Sequence, residues 1–259
     1  MINNHPIGLF DSGVGGTSIW REIHRLLPNE DCIYLADSKN APYGQKSKDE
    51  IIYLSAKNTE FLLNRNCKLI VVACNTATTN AIKELRERYK VPFIGIEPAI
   101  KPAATHSQTQ TIGILATQGT LNSELFHKNV ERFTQTKIIE QIGHGLVPLI
   151  ERGEINSTEM SELLNTYLQP MIAQNIDYLV LGCSHYPYLI PQIQKILPKH
   201  IQIIDSGEAV ARQTRNILKE KVGFRNLEQS SLQIFYTNSN PNVLSDILNN
   251  EYEVQKIDF

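Results

Sequence analysis

An α/β fold is predicted by three features of this 259-residue chain. Apolar runs of strand length alternate with amphipathic stretches of helix length. A strand–turn motif near the start recurs about a hundred residues later. No low-complexity segment or long linker interrupts the alternation.

The runs are IGLF at 7–10, CIYLA at 32–36, LIVVA at 69–73, FIGI at 93–96, IGILA at 112–116, YLVLG at 178–182 and IQIID at 201–205. Each is almost continuously hydrophobic, the pattern of strands buried on both faces of a parallel sheet. Residues 49–64 set Ile51, Ile52, Leu54, Phe61 and Leu62 at near-helical spacing. Residues 158–175 do the same with Leu163, Leu164, Tyr167, Leu168, Met171 and Ile172, so both predict helices with one buried face. Further on, DSGEAVARQTRNILKEK at 205–221 predicts a helix after a turn, and LQIFYT at 232–237 a further strand. Periodicity leaves open whether these last residues return to the start of the chain or extend its middle.

The recurring motif is IGLFDSGVGGTS from Ile7, repeated loosely as IGILATQGTLNS from Ile112. Each copy leads to an apolar run that ends in cysteine: Cys74 in VVACNTATT and Cys183 in LVLGCSHYP. The intervals are 67 and 71 residues. Two similar α/β units follow from this spacing.

Hydrophobic residues make up 41% and charged residues 20%, enough for one large core or two small ones. Lys and Arg number 25 against 27 Asp and Glu, giving a formal charge of −2 with no basic stripe. Nucleic acid is therefore not expected as a primary partner. The apolar runs fall well short of a membrane span and Met1–Pro6 is too short for a signal peptide, so a cytoplasmic protein without a membrane partner is expected. Cys32, Cys67, Cys74 and Cys183 form no CxxC pair and have no His at zinc-finger spacing, so neither a metal site nor a disulfide framework is expected. Cys32 and Cys67 read as small buried hydrophobes.

Ligand sites in open parallel sheets lie at the carboxyl ends of strands, where Asp11, Cys74, Thr117 and Cys183 all fall. If the two units face one another, their strand ends line one cleft with a thiol on each wall. A thiol acts as a base only as thiolate, so its proton affinity must be lowered by neighbouring donors. Asn75 or Thr76 would cap a helix after Cys74, and Ser184 one after Cys183, with Pro187 in its first turn. DSGVGG at 11–16 lacks the Gly-Lys-[Ser/Thr] ending of a phosphate loop. Its glycines instead permit close backbone approach to a ligand, while Asp11 offers a carboxylate. His185, two residues after Cys183, would exchange protons near neutral pH, and APYG at 41–44 reads as a turn whose amides and Tyr43 would line a polar pocket.

GLFDSGVGG, DSKNAPYG, ACNTAT and LGCSHYP, in this order, resemble the motifs of the glutamate racemases, a family of cofactor-independent bacterial enzymes, over nearly the whole chain. The resemblance implies two Rossmann-like domains with mainly parallel sheets about a pseudo-twofold axis, 1–98 plus 210–259 and 99–209, with the active site in the cleft between them. It implies direct interconversion of L- and D-glutamate, with D-glutamate supplied to peptidoglycan and no cofactor. By motif, Cys74 and Cys183 would be the catalytic acid/base pair, Cys74 facing the α-hydrogen of the D-enantiomer and Cys183 that of the L-enantiomer. Asp11 would assist the first side; His185 and Glu151, in VPLIERG, the second. Asp11, Ser12, Tyr43, Gly44, Asn75, Thr76, Thr117, Ser184 and His185 would bind glutamate, and no residue would hold a metal. Ser184 stands where Thr is common in the family, which retains the hydroxyl. A homodimer is expected.

Two rivals differ in class. An aspartate or broad-specificity racemase would use the same thiols, but typically carries Glu two residues after the second cysteine, where this chain has His185. A noncatalytic glutamate-binding or thiol redox protein would use the same cleft; a redox couple would need the cysteines within disulfide reach, which a substrate-sized gap prevents.

Overall fold

Leu9 and Phe10 are fully buried on opposite faces of the first strand, and helices cover both. The computed structural model describes residues 1–259. In chain order the elements are β1 (Ile7–Asp11), α1 (Thr17–Leu26), β2 (Cys32–Ala36), α2 (Lys48–Leu63), β3 (Leu69–Val72), α3 (Asn75–Arg88), β4 (Phe93–Gly95) and α4 (Ile100–His106). Then come β5 (Thr111–Ala116), α5 (Gln118–Leu121), α6 (Glu124–Val130), β6 (Lys137–Ile142), α7 (Leu146–Glu151), α8 (Thr158–Ile172), β7 (Tyr178–Gly182), α9 (Ile190–Ile196) and β8 (Gln202–Ile204). The chain closes with α10 (Gly207–Ile217), β9 (Gln233–Thr237), α11 (Pro241–Ile247) and β10 (Val254–Lys256).

The strands form two sheets, β10-β9-β2-β1-β3-β4 and β6-β5-β7-β8. All neighbouring strands are parallel. The order β2-β1-β3-β4 recurs as β6-β5-β7-β8, so the motif repeated in sequence is repeated in topology. β9 joins the first sheet beside β2, pairing Cys32 with Gln233, and α10 packs against α1. The last part of the chain therefore returns to the first unit. No helix is long and apolar enough to cross a membrane.

Local signals agree with these elements. Ser47 and Glu50 form a reciprocal capping box at the start of α2, and the hydroxyl of Ser157 accepts from Met160 N–H to cap α8. Within α8, Leu164, Leu168 and Met171 are buried on one face; each such side chain contributes roughly 1.5–3 kcal/mol. Cys32 and Cys67 are buried among apolar neighbours. Burial pushes the Cys67 thiol up to about 12, so both read as packing residues.

The chain crosses between the units twice, after β4 and after β8. Both are edge strands. The Ser206 hydroxyl donates to Glu97 O at 2.5 Å, fastening one crossing to the other.

Candidate active site

Both sheets turn their carboxyl strand ends toward the same buried region. Asp11 ends β1, Cys74 follows β3, Thr117 follows β5 and Cys183 follows β7. Cys74 and Cys183 are only 4% and 6% exposed, so neither sulfur lies open to solvent.

Cys74 is itself the N-cap of α3, with Sγ accepting from Ala77 N–H at 3.4 Å. The expectation that Asn75 or Thr76 caps this helix is corrected, because α3 begins directly after the cysteine and both residues already lie in its first turn. The Ser12 hydroxyl lies 3.7 Å from the same sulfur. Burial and then the Asp11 charge push the Cys74 thiol well up, and the Ala77 amide and Ser12 hydroxyl offset only part of this. In these surroundings Cys74 is a thiol.

Cys183 sits beside a base instead. Its Sγ is 3.8 Å from His185 Nδ1. His185 Nε2 is 2.6 Å from Glu151 Oε1, a contact in which Nε2 carries a proton while Nδ1 faces the Cys183 sulfur. Burial opposes the imidazolium, but hydrogen bonds with Cys183 and Glu151 and the Asp11 charge outweigh it and hold His185 well above its usual value. Ser184 caps no helix; its hydroxyl donates to Asp11 Oδ1 at 3.1 Å, so this expectation is corrected too. The turn that follows runs from Tyr186 to Leu189, with Pro187 in its first turn as expected.

Asp11 lies where the walls meet. Oδ2 accepts from Gly16 N–H at 2.9 Å and lies 3.9 Å from His185 Nδ1. Burial raises its carboxyl above the usual range, against the opposing pull of the His185 charge, the Gly16 amide and the Ser184 hydroxyl. Two glycines of DSGVGG, Gly13 and Gly15, do allow close approach, but here to side chains of the other unit. A Cβ on Gly13 would collide with the Glu151 carboxylate and one on Gly15 with the His185 ring. Val14 N–H donates to Glu151 Oε1 at 2.7 Å.

A second polar patch adjoins the thiols. Thr76 Oγ1 and Thr117 Oγ1 are 2.8 Å apart across the cleft, and Thr120 joins them at 3.3 and 3.0 Å. Gly44 packs against Thr117 so closely that a Cβ would lie 2.8 Å from Thr117 Cβ. Asn75 Oδ1 is buried with no hydrogen-bond partner. Tyr43 is brought near, but its hydroxyl turns away, donating to Asp37 Oδ2 at 2.5 Å and accepting from Asn58 at 3.1 Å.

Sequence reading missed several neighbours. Ser38 donates to Glu151 Oε2 at 2.7 Å, and Tyr34 donates to Gly13 O at 2.7 Å. Asn238, in the returning segment, donates to Asp37 Oδ1 at 2.5 Å. Ser38 lies inside DSKNAPYG and was visible there; nothing in sequence joins Asn238 to Asp37 across some two hundred residues.

Comparison with known proteins places this arrangement. The model of the Asp/Glu/hydantoin racemase family matches residues 7–214. A glutamate racemase of Ralstonia pickettii is 49% identical over 208 residues, 80% of this chain and 74% of that protein. The structure of Escherichia coli glutamate racemase, in complex with L-glutamate and the activator UDP-MurNAc-ala, is 32% identical with a TM-score of 0.86, covering 97% of each chain. The Francisella tularensis enzyme in complex with D-glutamate is 28% identical with a TM-score of 0.85, covering 98% of each.

Proposed function

The chain belongs to the Asp/Glu/hydantoin racemase family, and from that premise we propose that it interconverts L- and D-glutamate by two-thiol proton transfer, supplying D-glutamate for peptidoglycan. The observation that carries the mechanism is the matched placement of Cys74 and Cys183 after equivalent strands, β3 and β7.

Inversion requires a proton to leave one face of the α-carbon and another to arrive at the opposite face. The walls differ in a way that suits this. His185 Nδ1 takes the Cys183 proton, giving a thiolate that removes the α-proton of L-glutamate, while Cys74 remains a thiol and delivers its own proton from the other side. The reverse reaction starts with the roles exchanged. Negative charge growing on the substrate carboxylate is met by preorganised donors, a role assigned here to Ser12, Thr76, Thr117, Ser184 and the backbone amides of Tyr43 and Gly44. Asn75 Oδ1 supplies an acceptor suited to the substrate ammonium. No cofactor enters the scheme. The residues group as a first domain, 1–98 plus 210–259, and a second, 99–209. A small charged amino acid taken from free solution suits a cytoplasmic enzyme.

Purified protein incubated with L-glutamate and no added cofactor brings optical rotation to zero under this reading. An unchanged rotation refutes it. A parallel incubation with L-aspartate, expected to leave rotation unchanged, separates the aspartate-type alternative.

A further inference from the structure

We infer that Ser38 is a positioning residue for proton transfer on the Cys183 side, acting through Glu151; the inference rests on the racemase reading above. Ser38 Oγ donates to Glu151 Oε2 at 2.7 Å. The other carboxylate oxygen, Oε1, accepts from Val14 N–H at 2.7 Å and faces His185 Nε2 at 2.6 Å. Three donors thus fix the plane of one carboxylate, and only one of its oxygens holds the imidazole.

Ser38 is not needed to close its own turn. That turn is closed by Asn40 N–H on Asp37 O at 3.0 Å and Ala41 N–H on Ser38 O at 3.3 Å. Asp37 is in turn fixed by the Asn40, Tyr43 and Asn238 side chains, and Lys39 N–H donates to Asn238 Oδ1 at 2.9 Å. These contacts hold the Ser38 backbone rigidly and leave its hydroxyl for Glu151.

Glu151 is the last residue of α7 and keeps 12% of its side chain exposed. Without the hydroxyl, Oε2 turns toward water, and that rotation carries Oε1 away from His185 Nε2. The imidazole then loses the partner that holds its Nε2 proton and keeps Nδ1 turned toward Cys183. Ser38, on the first unit, thereby sets the proton affinity of a pair on the second.

The test compares Ser38→Ala, Ser38→Cys and Ser38→Thr, each in wild-type and Glu151→Gln backgrounds, using L- and D-glutamate with hydrogen or deuterium at the α-carbon. Ser38→Cys approximates the size of serine but donates weakly, so an unfolded alanine variant does not remove the test. Ser38→Ala and Ser38→Cys are expected to lower kcat about tenfold with KM little changed, the effect of losing a charge-assisted hydrogen bond that aligns a proton carrier. The isotope effects shift in the same sense as in His185→Asn, Ser38→Thr restores both, and neither change adds to Glu151→Gln. Wild-type kcat and isotope effects in Ser38→Ala or Ser38→Cys overturn the inference, as does an undiminished tenfold loss in the Glu151→Gln background. A wild-type protein that fails to racemise glutamate refutes the racemase reading instead.

Discussion

The Ser184 hydroxyl donates to Asp11 Oδ1 at 3.1 Å, joining the loop after β7 to the end of β1. Asp11 also lies 3.9 Å from His185 Nδ1, so it touches the Cys183 wall as well as the Cys74 wall that its motif suggests. Asp11→Asn is therefore expected to raise the primary deuterium isotope effect with both enantiomers, whereas His185→Asn raises it with L-glutamate alone. The ratio of the two kcat/KM values stays fixed by the equilibrium. A rise confined to D-glutamate in Asp11→Asn would return Asp11 to one wall.

Cys74→Ser and Cys183→Ser are each expected to lower racemisation by roughly 10²–10⁴-fold or more, the scale of a lost general acid or base. Far-UV circular dichroism should match wild type, since a hydroxyl is close in size to a thiol. In deuterated water, Cys74→Ser should still exchange the α-hydrogen of L-glutamate through Cys183 without producing D-glutamate. Near-normal turnover by either folded variant would refute the two-thiol mechanism.

His185 makes stability depend on pH. Its proton affinity is raised in the folded state, where Glu151, Asp11 and Cys183 face it. The contribution is fully present below the unfolded value of about 6.5 and is lost as pH rises through the folded value. The Tm should therefore fall as pH rises above about 6.5, the unfolded value. His185→Asn should lack this slope; equal slopes in the two proteins would contradict the assignment.

Gly15→Ala places a methyl where the His185 ring now lies. Overpacking of this kind costs about 1–3 kcal/mol, read as a lower urea midpoint. Turnover should fall further than the stability loss explains, because the displaced ring no longer faces Cys183. Wild-type kcat in this variant would show that the ring relocates without consequence.

Much of this was legible in the sequence because it is local. The strands read as CIYLA and YLVLG coincide with β2 and β7, since buried parallel strands announce themselves as continuous apolar runs. β6 was not read: as a partly exposed edge strand, KIIEQI mixes polar and apolar residues. β10, three residues long and mostly exposed, gives no pattern at all. At the site, residues following strand ends were legible, Ser38 in DSKNAPYG among them, whereas its partner Glu151 and the pairing of Asn238 with Asp37 are fixed only by tertiary packing. The caps were misjudged because helix starts are set to within a residue, and Cys74 itself occupies the position given to its neighbours.

The bond from Ser206 to Glu97 ties together the only two places where the backbone passes between the units. Both passages leave from β4 and β8, on one flank, so they work as the binding of a book. Its pages are held together elsewhere by side-chain and amide contacts, among them Ser184 on Asp11, Ser18 on Ser184, Thr76 on Thr117, Asn80 on Gly119, and Val14 and Ser38 on Glu151. Any parting wide enough to admit an amino acid breaks such clasps while the binding stays sewn. Both mirror forms of the substrate must then come and go through the same fore-edge, whichever thiol they meet inside.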